Sequence, residues 1–314
     1  MILYTSYFIL FVFGLCVGSF LNAVIFRLEK GESIVFAGTK SLRKGLSPFS
    51  RMARSYCPRC KHTLAWYDLL PVLSFFMLRG KCGYCGKKIS IQYPMVEIAT
   101  GILFALVTNY QLPITNLQSI FQLPITNYQL LIPLIYYFYI SSVLIVIFVY
   151  DLKHYIIPDK ILFPTIGISI LYHVSSIMQA NNNASYIIHH TLYSHLGSAI
   201  IASGFFLSLV LVSRGRWMGL GDVKLAFLMG LVLGWPNILV ALFLAFTLGA
   251  IVGLALILAS RSSASFEEAE LPKMEGQHYS FKSEIPFAPF LIAGTFMALF
   301  WGNQIVSWYL GMLF

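Results

Sequence analysis

The sequence predicts an all-α polytopic membrane protein of about eight transmembrane helices, with a small cytosolic zinc-ribbon-like domain between the first two. Three observations predict it. Of the 314 residues, 58% are hydrophobic and 11% charged, and the mean hydropathy is +0.77, far too apolar for an ordinary soluble domain. The apolar residues gather into stretches close to the roughly 20 residues that a bilayer core requires. The 21 Lys and Arg residues all fall on one side of the map that those stretches draw.

The stretches run over about 4–26, 93–109, 128–150, 160–178, 196–213, 222–235, 237–259 and 287–312. The first, Tyr4 to Phe26, is long enough to span and ends in Arg27, so it reads as a retained helix and not a cleaved signal peptide. The second and sixth are short, and their assignment rests on the total count. Thirteen of the 21 basic residues lie between Arg27 and Lys88. Lys153 and Lys160 flank the turn after the third helix, Arg214, Arg216 and Lys224 lie between the fifth and sixth, and Arg261, Lys273 and Lys282 follow the seventh. The connections 110–127, 179–195 and 234–237 hold no charged residue. Cytoplasmic loops collect Lys and Arg, so eight helices with both termini on the periplasmic side satisfy the rule throughout, whereas one helix more or fewer breaks it. The net charge of +9 is then a topology signal, and nucleic-acid binding is not expected.

These boundaries divide the chain into a first transmembrane helix (1–26), a cytosolic four-cysteine zinc domain (27–92) and a seven-helix membrane domain (93–314). A polar, acidic cytosolic loop is expected near 260–285, with Glu267, Glu268, Glu270 and Glu275. The run QLPITN occurs at Gln111–Asn116 and again at Gln122–Asn127, a local duplication too short to be an architectural repeat.

Four of the five cysteines form two pairs, Cys57-x2-Cys60 and Cys82-x2-Cys85, in the basic loop; Cys16 stands alone in the first helix. Two C-x-x-C turns at this separation match a four-thiolate zinc ribbon, and Pro58, Gly83 and Gly86 supply turn residues. Four thiolates leave no open coordination position, so zinc here is structural and the loop depends on it to fold. Two disulfides or four free thiols are the bland alternatives, and His62 is more simply a solvated neighbour than a ligand.

Within or at the edges of the apolar stretches only Glu97, Asp151, Asp159 and Asp222 are acidic. Ionisable groups at that depth are costly and therefore functional candidates. Asp151 ends the third helix and Asp222 opens the sixth, so an alternating topology brings both to the same, cytoplasmic, membrane face. Two carboxyl groups in contact hold one proton between them and can act on water as base while donating as acid, which is the chemistry of aspartic proteolysis. Gly219 and Gly221 allow close backbone approach, of a helix or an extended substrate, and Lys224 follows. The bland reading of Asp222 is a helix-start cap; Asp159, after Pro158, is better explained that way. Glu97 is open between pairing with a basic residue and contacting a cofactor.

With these motifs in order, the chain resembles the type IV prepilin peptidases, aspartyl proteases of the GxGD kind, over nearly its whole length. The resemblance is carried by G-S-F-L-N-A-V-I-F-R-L at Gly18–Leu28, by the cysteine loop through I-S-I-Q-Y-P-M-V-E to Glu97, and by D-L-K-H-Y-I-I-P-D at Asp151–Asp159. It continues in G-L-G-D-V-K-L at Gly219–Leu225 and in I-P-F-A-P-F at Ile285–Phe290, where Ala288 replaces the family's usual Gly. It implies Asp151 and Asp222 as the catalytic pair. It also implies cleavage of the basic leader from prepilin and pseudopilin substrates after a glycine, then N-methylation of the new amino terminus from S-adenosylmethionine, in the bacterial inner membrane. No residue of 27–92 is derivable as a methyl-donor site, and the methylation expectation stands on the resemblance alone. Two rivals are an ion or proton-coupled transporter with Asp151, Asp159 and Asp222 along its path and a membrane scaffold whose zinc loop recruits partners.

Overall fold

The structure is a computed structural model and describes residues 2–31, 55–111, 128–178, 192–267 and 286–313. The QLPITN duplication falls outside them apart from Gln111, as does most of the expected 260–285 loop. Among the described residues there is no strand, only two isolated bridges in the cysteine segment. The long helices are α1 (Ile2–Glu29), α2 (Gln92–Gln111), α3 (Tyr128–His154), α4 (Asp159–Met178), α5 (Gly197–Ser213), α6 (Leu220–Leu233), α7 (Asn237–Glu267) and α8 (Ala288–Leu313). Each stands where an apolar stretch predicts one. Helix α7 corrects the expected loop in one respect, continuing in helical form through Glu267.

Six of these helices, all but α2 and α6, are long and apolar enough to cross a membrane. The protein is a multi-pass membrane protein. Helix α6 has 14 residues, about 21 Å at 1.5 Å per residue, short of the roughly 30 Å hydrocarbon core. Helix α2 has the length but carries Gln92, Thr100, Thr108 and Asn109; its two buried threonines return their hydroxyls to the carbonyls of Val96 and Phe104 at 2.7 Å, which keeps them satisfied in an apolar setting.

The chain forms two compact units, Met1–Val149 and Tyr150–Phe314. In the first, α1 packs on α2 through small residues. A Cβ on Gly18 would come within 2.6 Å of the Glu97 Cα, and one on Gly14 within 2.8 Å of the Gly101 Cα, so the backbones approach as no larger residue permits. Phe104 stacks on Phe138 at 4.1 Å and anchors the start of α3 on this core.

In the second unit α6 is the central helix, with Leu225, Ala226, Leu228 and Met229 fully buried. Gly230 faces the Ser198–Ala199 backbone of α5, and Gly294 of α8 faces Ala241 and Ala245 of α7. Arg214 and Gly215 end α5 in the left-handed region, φ 53° and 74°, with the Gly215 N–H on the Val210 carbonyl at 2.9 Å, a closing turn that satisfies the last carbonyls. At the end of α6 the carbonyl of Leu231 accepts from both His173 Nε2 at 2.8 Å and His195 Nδ1 at 2.9 Å, which fixes this end of the helix against α4 and the turn Leu192–Leu196.

Candidate active site and metal centre

Asp151 lies in the last turn of α3 and is 5% exposed, its Oδ2 buried with no hydrogen-bond partner among the described residues. Asp222 is the third residue of α6, half-buried. Gly219 precedes the helix as its N-cap with extended backbone, φ −85° and ψ 159°, and its N–H bonds back to the Asp222 carboxylate. Here the cap and the functional reading of Asp222 coincide, because that bond aims the acid while closing the helix start. Asp151 and Asp222 lie within electrostatic reach of each other, both in the second unit.

Two further contacts tie the motifs together. Lys224, two residues beyond Asp222, donates to both carboxylate oxygens of Asp159, at 2.8 and 2.9 Å, with its ammonium 5.0 Å from the centre of the Phe163 ring. A Cβ on Gly221 would meet the Ile157 side chain at 3.3 Å. So Asp151, Ile157 and Asp159 of one motif face Asp222, Gly221 and Lys224 of the other. Asp159 opens α4, where a negative charge suits the helix N-terminus, but its side chain is engaged by Lys224. Sequence reasoning did not foresee that pair. The available signal was a single Lys near the start of an apolar helix, which needs a counter-charge. Gly219 differs from Gly221 in facing open space, with no atom nearer to its would-be Cβ than the Gly221 N at 3.8 Å. The terminal motif places Ala288, 1% exposed, at the first position of α8, and Phe287 against Phe246 at 5.2 Å.

The second candidate centre belongs to the first unit. The four Sγ atoms of Cys57, Cys60, Cys82 and Cys85 all lie within 4.8 Å of one another, and none is in a disulfide. A tetrahedron with Zn–S of 2.3 Å has edges of about 3.8 Å, so the cluster fits a single ion after a small contraction. The two turns share one pattern. The N–H of Lys61 and of Gly86 returns to the carbonyl of Cys57 and of Cys82, each at 2.9 Å, and the Cys57 and Cys82 N–H groups take His62 and Lys87 carbonyls at 2.9 and 2.8 Å. Lys61 and Gly86 occupy the same left-handed position, φ 60° and 68°, which glycine takes without strain and lysine does not. Burial pushes the Cys57 thiol up, but backbone N–H groups of Cys60 and Arg59 and the thiols of Cys60 and Cys82 outweigh it and bring it down to about 7. Such a thiol is poised to lose its proton to a metal. His62 is exposed and stacks on Tyr84 at 3.8 Å between ring centres, outside the sulfur cluster. Among the described residues Glu97 is paired with no basic residue; its Oε2 accepts the Val72 N–H at 2.7 Å.

Comparison with known proteins gives two matches along the chain. The family model described as the bacterial peptidase A24 N-terminal domain matches residues 12–110, and that of the type IV leader peptidase family matches residues 138–254. Among similar curated proteins are the prepilin leader peptidase/N-methyltransferases of Aeromonas hydrophila, 28% identical over 96% of this chain and 93% of the relative, and of Bacillus subtilis (strain 168), 29% identical over 97% and 98%. That of Myxococcus xanthus (strain DK1622) is 34% identical over 80% of this chain and 63% of its own length. No solved structure matches. With both aspartate motifs inside the matched peptidase region and the cysteine turns inside the matched N-terminal domain, the chain belongs to the type IV leader peptidase family and is an enzyme of that aspartic peptidase class.

Proposed function

We propose that the protein cleaves the basic leader of type IV prepilins and pseudopilins at the cytoplasmic face of the bacterial inner membrane, using Asp151 and Asp222, and then methylates the new amino terminus. The observation that supports the reading is that two aspartates 71 positions apart in sequence, each at a helix end, lie within electrostatic reach of each other, with the buried Asp151 Oδ2 unpaired among the described residues. One carboxylate takes a proton from water as its oxygen attacks the scissile carbonyl. The other, holding the shared proton, passes it to the departing amine as the C–N bond breaks. Gly219, with open space beside it, leaves room for an extended peptide backbone. Gly221 and Lys224 fasten the aspartate turn to the Asp151–Asp159 segment.

The remaining assignments belong to the same proposal. Cys57, Cys60, Cys82 and Cys85 hold one structural zinc, and residues 27–92 form the cytosolic domain associated with S-adenosylmethionine-dependent methylation, a reading supported by the names of the relatives. Residues 93–314 form the protease domain, and both termini face the periplasm, because that arrangement keeps every Lys and Arg inside. Mass spectrometry of a prepilin-like peptide incubated with the purified protein, with and without S-adenosylmethionine, tests the whole. Cleavage after glycine in both reactions and a methyl increment only with the donor are expected. An intact peptide would overturn the proposal.

A further inference from the structure

The first unit encloses a cavity of about 380 Å3 between the C-terminal half of α1, the start of α2 and the cysteine turns. That volume lies within the roughly 300–1,000 Å3 of small-molecule sites. Its lining contains two buried acceptor side chains with capacity to spare. Asn22, 4% exposed, donates its Nδ2–H to the Tyr93 carbonyl at 3.0 Å, and its Oδ1 is buried without a hydrogen-bond partner among the described residues. Glu97, 7% exposed, accepts the Val72 N–H on Oε2 and the Ser19 hydroxyl, and a carboxylate with its roughly four lone-pair sites can accept beyond these two bonds. Buried acceptors left unpaired are rare in folded proteins and call for a donor.

The rest of the lining has a different character. Arg59 and Lys87 add positive charge, and Phe75 and Tyr84 add rings. The matching ligand is therefore zwitterionic. It carries a cationic end with donors for Glu97 and Asn22, an anionic group for Arg59 and Lys87, and a flat heterocycle for the rings. A peptide amine alone would satisfy the acceptors but bring nothing for the rings.

We propose that this cavity binds the methyl donor S-adenosylmethionine, with Glu97 and Asn22 as the binding residues for its cationic end. The inference rests on the methylation reading above and assigns its site. When bound, the donor supplies a methyl group to the amine nitrogen, the sulfur keeping the electron pair of the broken bond as a neutral thioether and the amine's proton passing to water.

The test uses the full chain in detergent with methyl-labelled S-adenosylmethionine. Ultraviolet cross-linking to the wild-type protein, followed by peptide mapping, should place label within residues 19–27 or 84–97. Label confined to residues 150–314 would overturn the assignment. In equilibrium dialysis Glu97→Gln and Asn22→Leu should each weaken donor binding about tenfold or more, the loss expected of a hydrogen bond to a charged ligand. Zinc content and peptide cleavage serve as fold controls. If the wild type binds and transfers while both folded variants bind equally well, the cavity assignment fails and methylation stands. If the wild type neither binds the donor nor transfers a methyl group, the methylation reading fails and takes the cavity assignment with it.

Discussion

At the scale of single residues, two groups with different duties face each other across the aspartate motifs. In the proposed mechanism Asp151 and Asp222 act on the reacting atoms, so Asp222→Asn or Asp151→Asn should lower peptide cleavage by more than about 1,000-fold, since a shared proton and a base are both lost. Expression and zinc content should persist; a membrane scaffold would be indifferent to the change. In the same mechanism Lys224 and Asp159 are positioning residues. Lys224→Met leaves Asp159 without its two hydrogen bonds and should cost roughly 10- to 100-fold in kcat through misplacement of the Asp222 turn, with KM moved less. The exchange Asp159→Lys with Lys224→Asp should restore part of that rate, an effect a merely destabilising change would not give. Equal rates for wild type and Lys224→Met would remove the pair from the mechanism.

At the scale of elements, the cysteine turns gather four sulfur atoms into one cluster. The hydrogen bonds within each turn leave the four thiols grouped, and in the proposed reading a structural zinc holds the pairs together. Cys57→Ser should therefore abolish zinc binding and lower stability or methylation more than hydrolysis; hydrolysis lost in a well-folded, zinc-free variant would refute this. Zinc affinity should also fall as pH drops through about 7, where the Cys57 thiol regains its proton. The sign follows from its depressed value: the thiolate is favoured above that pH and lost below it, so acid competes with metal. Helix contacts make a separate prediction. Gly230 lies against the α5 backbone, so Gly230→Leu should cost at least roughly 1–3 kcal/mol of stability by overpacking, read as a lower melting temperature in detergent.

At the scale of the whole molecule, the one-sided distribution of Lys and Arg predicts which loops face the cytoplasm. Single cysteines placed at 118 and 185 in a background without other cysteines should be labelled by a membrane-impermeant reagent in intact cells, and one at 270 only after lysis. Labelling of all three from one side would break the eight-helix topology. Six helices meet the requirement for crossing by length and composition alone; α2 and α6 do not, and the basic residues that precede them, set against the uncharged connections that follow, are the argument for counting them. Helix α6, short as it is, is the most deeply buried helix of its unit, so neighbouring helices and not lipid surround it.

The amino-acid sequence by itself determined the helices, the cysteine pairs and the two aspartate motifs, because these rest on local signals: apolar length, turn residues at fixed offsets, and ionisable side chains too costly to keep in an apolar segment without use. Even the short α6 was legible in that way. Only the tertiary structure decided which charge answers which. The bond between Lys224 and Asp159, the seat of Ile157 against Gly221, the Leu231 carbonyl shared by two histidines, and the unpaired acceptor of Asn22 beside Glu97 depend on helices distant in sequence coming into register. That register is set by close backbone approach at glycines such as Gly18 and Gly230, a property of pairs of surfaces that no local pattern records.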